Sequence, residues 1–128
     1  MQTIEIPREA WVRRLNEFTK LHEGRLASVD VLGPDIGAQP EVTHLPLIGV
    51  SADRVDHDGT IAVSVAGSTG GHITHIIEAV THVYLERTDD GVDMALQILS
   101  GDGTATLLRL QAPAASEIRR ENCASLTA

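Results

Sequence analysis

Apolar residues recur along this chain with two different periods. Between Pro7 and His22, the residues Trp11, Leu15, Phe18 and His22 fall at i, i+4, i+7 and i+11, with Val12 and Leu21 beside them. That is the 3.6-residue period of an amphipathic helix. Pro7 suits the first helical position, where its missing N–H costs nothing. Glu9 falls in the first turn, near the positive end of the helix dipole. Arg13, Arg14, Glu17 and Lys20 lie largely off the stripe, and Gly24 is placed to end the helix in the left-handed conformation. The spacing predicts a helix over 7–22.

From residue 25 the period changes to two. Ala27, Val29 and Val31 alternate with Ser28 and Asp30, a half-buried strand over 25–32. Residues 33–40 read as a loop by their glycine and proline content. Strand character returns over 42–52, where Pro46 cannot donate a ladder hydrogen bond and so marks an edge strand or a break. Asp56-His57-Asp58-Gly59 reads as a turn, followed by a strand over 60–66 and a connector, Gly67-Ser68-Thr69-Gly70-Gly71. The run from His72 to Glu86 is too long for one ordinary strand. It predicts a bend or bulge near Glu78-Ala79 that divides it into 72–77 and 80–87. A turn at Thr88–Gly91 leads to 92–99, with Val92, Met94, Leu96 and Ile98 on one face. A two-residue turn at Gly101-Asp102 would then pair Ile98 with Ala105 and Leu96 with Leu107.

One helix and then six or seven strands, with short turns through the second half, predict an antiparallel meander. The predicted fold is α+β: an N-terminal helix packed through Trp11, Leu15 and Phe18 on a bent antiparallel sheet of about six strands, rolled into a partly open small barrel. Residues 1–111 form this single domain, and 112–128 a C-terminal tail with a short helix over 114–121.

Composition narrows the picture. Trp11, Phe18 and Tyr84 are the three aromatic residues, so the core has to be aliphatic. The formal net charge is −8 and Lys20 is the one lysine. Such a surface repels phosphate backbones and argues against nucleic acid as a partner. The one cysteine, Cys123, permits no internal disulfide, and the N-terminal residues lack a signal-peptide pattern. No apolar run reaches the ~20 residues of a membrane span. The expectation is a soluble cytoplasmic protein that makes no use of a membrane.

Candidate chemistry centres on His72, His75, Glu78 and His82. His72 and His75 share a face on a helix but point to opposite faces of a strand. His72, Glu78 and His82 share parity if the strand is regular, whereas a bulge at 78–79 brings His75 to the side of His82. These four are the candidate metal ligands or acid–base groups, set against the simpler reading of half-exposed strand histidines bonded to their neighbours. No cofactor is otherwise implied, a divalent metal at this cluster being the alternative. Asp53, Asp56 and Asp58 lack the calcium-loop pattern and read as a turn. The Gly67–Gly71 connector precedes a strand, not a helix, and has no lysine nearby to hold phosphate. No nucleophile motif surrounds Cys123 or the serines.

Several segments resemble an uncharacterised bacterial family of short single-domain proteins, a domain of unknown function. They are Phe18–Gly24, Val31–Gln39, Leu45–Val50, His72-Ile73-Thr74-His75 and Ser100–Thr104 ahead of an apolar strand. The resemblance covers residues 7–111 and implies a small cytosolic bacterial protein without assigned catalytic residues. The functional expectation is a non-enzymatic binding or assembly module that acts as a homodimer or higher homo-oligomer. Its alternative is a small metal-binding protein or hydrolase-like enzyme using His72, His75, Glu78 and His82.

Overall fold

A computed structural model of the chain describes residues 2–34, 37–53 and 59–111. Strand β1 (Gln2–Ile6) leads through a 3-10 turn (Arg8–Ala10) into helix α1 (Trp11–His22). Then come β2 (Leu26–Gly33), β3 (Gly37–Ala52), β4 (Ile61–Ala66), β5 (His72–Ile77), β6 (Val80–Arg87), β7 (Asp93–Ser100) and β8 (Ala105–Leu110). The strands form one antiparallel sheet in the order β1-β6-β7-β8-β2-β3-β4-β5, which does not close. The fold is α+β, as the two periods predict, with one short helix on an open, bent sheet. The turn at 56–58 and the tail 112–128 with its expected helix lie outside the described residues.

Two corners bend the sheet. At the first, β3 changes partner: its residues up to Pro46 pair with β2, and Leu47–Ala52 pair with β4. His44 has φ 51 there, and its freed N–H is accepted by Ser28 Oγ at 3.0 Å. Pro46 lies opposite Leu26, at the last rung before the change, so it marks a break inside the sheet. The edges are instead β1 and β5. At the second corner, Ala79 has φ 55 and the chain passes from β5 into β6, as the length of 72–86 requires. Val80 N–H donates to the Gly59 carbonyl and Gly101 N–H to the Ala79 carbonyl, both at 2.8 Å.

Both halves of the bent sheet and the helix share one aliphatic core. Leu15, Val29, Ile61, Val83, Leu96, Ile98 and Leu108 are fully buried. Burying each such side chain stabilises the fold by about 1.5–3 kcal/mol. Trp11, Leu15, Phe18 and His22 are buried, as the stripe predicts, while Leu21 is 71 % exposed. The helix also replaces a strand. Thr19 Oγ1 accepts from Val50 N–H at 2.9 Å and shares its proton between the carbonyls of Leu15 (2.9 Å) and Val50 (3.0 Å). The N–H and C=O of Val50, on the side of β3 turned away from β4, are thereby satisfied without a further strand.

Four local expectations are corrected. β1 is a strand that the pattern did not single out, since its identity comes from pairing with β6 some eighty residues later. Gly37–Pro40 is strand, paired with Asp30–Gly33 in a ribbon whose β3 side is exposed and so shows no apolar alternation. The β7–β8 turn is longer than two residues, and Leu108, not Leu107, faces Leu96, with Thr106 opposite Ile98. One extra residue moves every following side chain to the other face. An irregularity between Glu86 and Arg87 likewise turns Asp93 inward and leaves Val92 42 % exposed.

Two measurements test this framework. A Cβ at Gly59, whose φ is 75, would collide with the Val80 carbonyl oxygen. Gly59→Ala is expected to lower stability by about 1–3 kcal/mol in urea titration, through strain at the second corner. In the β7–β8 turn, Asp102 Oδ1 accepts from Thr104 N–H at 2.9 Å, and this bond holds the carboxyl below its ordinary pKa. The stabilisation is in place above the unfolded value of about 4 and is lost as pH falls through the lower folded value. The melting-temperature gap between wild type and Asp102→Ala should close over that acidic range.

Candidate functional site

The sequence-predicted cluster is divided by the second corner. β5 pairs with β4, while β6 lies between β1 and β7. Ile77, His75 and Ile73 are opposite the buried Ile61, Val63 and Val65, so they share the inner face. His72, Thr74 and Ile76 take the outer one. His75 is half-buried, and His72, Glu78 and His82 are exposed. On β6, His82 Nδ1 donates to Glu5 Oε2 at 2.9 Å, and its ring stacks on Tyr84 with centroids 6.0 Å apart. Among the described residues, no three His, Cys, Asp or Glu side chains come together to hold a metal ion. His72, His75, Glu78 and His82 are thus not gathered in a single copy of the chain.

What the fold does gather is a buried polar network at the C-terminal end of α1. Asp93 and His22 are 7 % and 9 % exposed. His22 Nε2 donates to Asp93 Oδ2 at 2.8 Å, and Arg87 donates from Nε and Nη2 to Asp93 Oδ1 at 3.3 and 3.1 Å. Arg25 Nη1 lies 3.4 Å from His22 Nδ1, and its Nη2 donates to the Gln111 carbonyl at 2.6 Å. The Phe18 ring meets the imidazole edge-on at 4.7 Å. Both imidazole nitrogens therefore have a partner within the network. The network ties α1 to β6, β7, the start of β2 and the end of β8. Its histidine was visible as the last member of the helical stripe. Its aspartate was not, because strand alternation puts Asp93 on the solvent face.

Two clefts among the described residues are small. One of about 170 Å³ lies beside Trp11, Arg8 and Thr60, with the Arg8 guanidinium 5.0 Å from the indole ring. The other, of about 100 Å³, lies between Phe18, Leu21, Leu85 and Asp93. Small-molecule sites usually enclose about 300–1,000 Å³. No helix among the described residues is long and apolar enough to cross a membrane.

Strand β5 forms one edge of the sheet. It pairs with β4 in unbroken register from His72 to Ile77, and no described strand lies beyond it. Its six residues, His-Ile-Thr-His-Ile-Ile, carry no Asp, Glu, Lys or Arg. Ile73 and Ile76 are 46 % and 52 % exposed.

Comparison with known proteins finds a match to the model of a family of unknown function, DUF5335, over residues 2–119. An uncharacterized protein of Aquifex aeolicus (strain VF5) is 27 % identical over 111 residues, 87 % of this chain and 94 % of the relative. No solved structure matches.

Removing one member of a buried ion pair leaves its partners without compensation and typically costs 3–5 kcal/mol. Arg87 is partly solvated here, so Asp93→Ala should lower the unfolding free energy by about 3 kcal/mol. Urea denaturation followed by Trp11 fluorescence measures it.

Proposed function

The chain belongs to this family of unknown function, and we propose that it is a small non-enzymatic binding and assembly module, working as a homo-oligomer whose copies join along the open edge of β5. The observation that carries this reading is the character of that edge. An unpaired strand presents a row of backbone N–H and C=O groups ready to pair with another chain. Monomeric proteins blunt such edges with lysine, proline, a bulge or a covering loop. β5 has no lysine or proline, and its register with β4 is unbroken. The opposite edge, β1, is blunted by the exposed Glu5.

The distribution of charge supports the same reading. A molecule with net charge −8 resists association wherever acidic surfaces meet. A strand without acidic residues is the place where two copies approach at least electrostatic cost. Antiparallel pairing of one β5 with another is isologous and closes as a two-fold dimer. A hydrolase-like site at the histidines has less support, since the four candidate side chains do not converge and none of them lines either cleft. The acidic balance also keeps nucleic acid out of the reading.

Light scattering at micromolar concentration is expected to give the mass of two chains. Ile76 is half-exposed on the outer face, so Ile76→Lys should change the unfolding free energy by only about 0.5 kcal/mol while shifting the mass to one chain. A wild-type protein that runs as a monomer overturns the proposal.

A further inference from the structure

We infer that the groove between α1 and the end of β6 is an internal docking site for the chain's own C-terminal segment, with Ile118 seated against Phe18 and Leu21. The inference is independent of the dimer reading above. The groove encloses about 100 Å³, and Ile6, Phe18 and Leu85 give it an apolar floor. That volume is the scale of a single side chain and falls short of a small-molecule site. Leu21, on its edge, is 71 % exposed, the highest value among the large apolar side chains of the described residues. A lone exposed leucine is ordinary. This one continues an apolar floor that stands open beside it.

The point where the chain leaves the sheet selects the occupant. Ala95 pairs with Arg109 across β7 and β8. Two residues further along the same register, Gln111 comes beside Asp93, which lines the groove. Both backbone groups of Gln111 are held there. Its N–H donates to the Leu26 carbonyl at 2.8 Å, and its carbonyl accepts from Arg25 Nη2 at 2.6 Å. Residues 112–128 therefore start at one end of the groove. From Gln111, seven further residues reach Ile118, a span of up to about 23 Å if extended and about 10 Å if helical. The groove runs from Asp93 along α1 toward Arg14, and Leu21 lies about 10 Å from Arg14 along the helix. Either conformation brings Ile118 to Leu21 and Phe18.

The sequence beyond Gln111 fits this place. Ile118 is the one large apolar residue of 112–122, and Ala114 and Ala115 precede it at the spacing of one helical face. Glu117 and Arg119 flank it, and the rim of the groove carries both signs, in Arg14, Arg87 and Glu17. The family match runs on to residue 119, past the last strand and one residue beyond Ile118. What the family shares thus includes the segment that would fill the groove.

The test uses the full chain with a nitroxide on Cys123, its one cysteine, which lies five residues and at most about 18 Å beyond Ile118. In ¹⁵N-labelled protein, the amides of Glu17, Leu21 and Leu85 should lose most of their intensity. Those at the far end of β2, near Leu32, should keep theirs. Ile118→Asp should restore the lost signals, and so should Leu21→Ser, a change at an exposed position that leaves the fold intact. A mixture of nitroxide-labelled chain with ¹⁵N-labelled Cys123→Ser chain should show no loss, because the contact is within one molecule. Absence of broadening at α1, or broadening that survives Ile118→Asp, overturns the inference. Broadening that appears in the mixture also overturns it, by placing the segment on another copy. The mass measured by light scattering decides the dimer separately.

Discussion

The corner at Glu78–Ala79 is the constraint on which the rest of the architecture depends. Ala79 sits in the left-handed region, at φ 55, a conformation that costs an L-residue about 1–2 kcal/mol. Its surroundings hold it there: the Val80 N–H reaches back to Gly59, and the Ala79 carbonyl receives the Gly101 N–H. Because of this turn, two strands that are continuous in the chain are not neighbours in the sheet. β5 is delivered to an outer edge and β6 to a position between β1 and β7. The same turn separates His75 from His82 and exposes the edge through which two copies are proposed to meet.

A second bend, in β3, complements the first. One sixteen-residue strand serves two partners, and the change of partner frees backbone groups that must be satisfied elsewhere. Ser28 takes the His44 N–H, and Thr19 takes both polar groups of Val50. The helix is thus more than a cover for the aliphatic core, since it supplies the hydrogen bonds that another strand would otherwise provide. At its far end, the His22–Asp93–Arg87 network fixes the helix against the β6–β7 hairpin. The helix is thus held both by its buried stripe, Trp11, Leu15 and Phe18, and by directional polar contacts at its C-terminal end.

The proposed function belongs to an edge and not to a pocket. The residues that looked chemical in isolation are spread over an exposed strand, a half-buried face and a pair of side-chain contacts on β6. The chemistry available to β5 is that of a strand edge, backbone pairing.

Much of this protein follows from local pattern. The period of 3.6 located α1 and its buried stripe, the period of two located most strands, and the length of the run from His72 to Glu86 demanded its division at 78–79. Those features are local because backbone geometry alone sets the spacing of side chains on a helix or a strand. The tertiary structure decided what local pattern cannot carry. β1 exists through pairing with β6, distant in sequence, and the β2–β3 ribbon extends where no core imposes alternation. A one-residue difference in the β7–β8 turn placed Leu108 inward, and an irregularity beside Arg87 turned Asp93 from solvent to His22. Candidate site residues could be named from the sequence, but whether they meet depended on which strands become neighbours. That choice is made by long-range pairing and core packing, whose free energies are summed over the whole sheet.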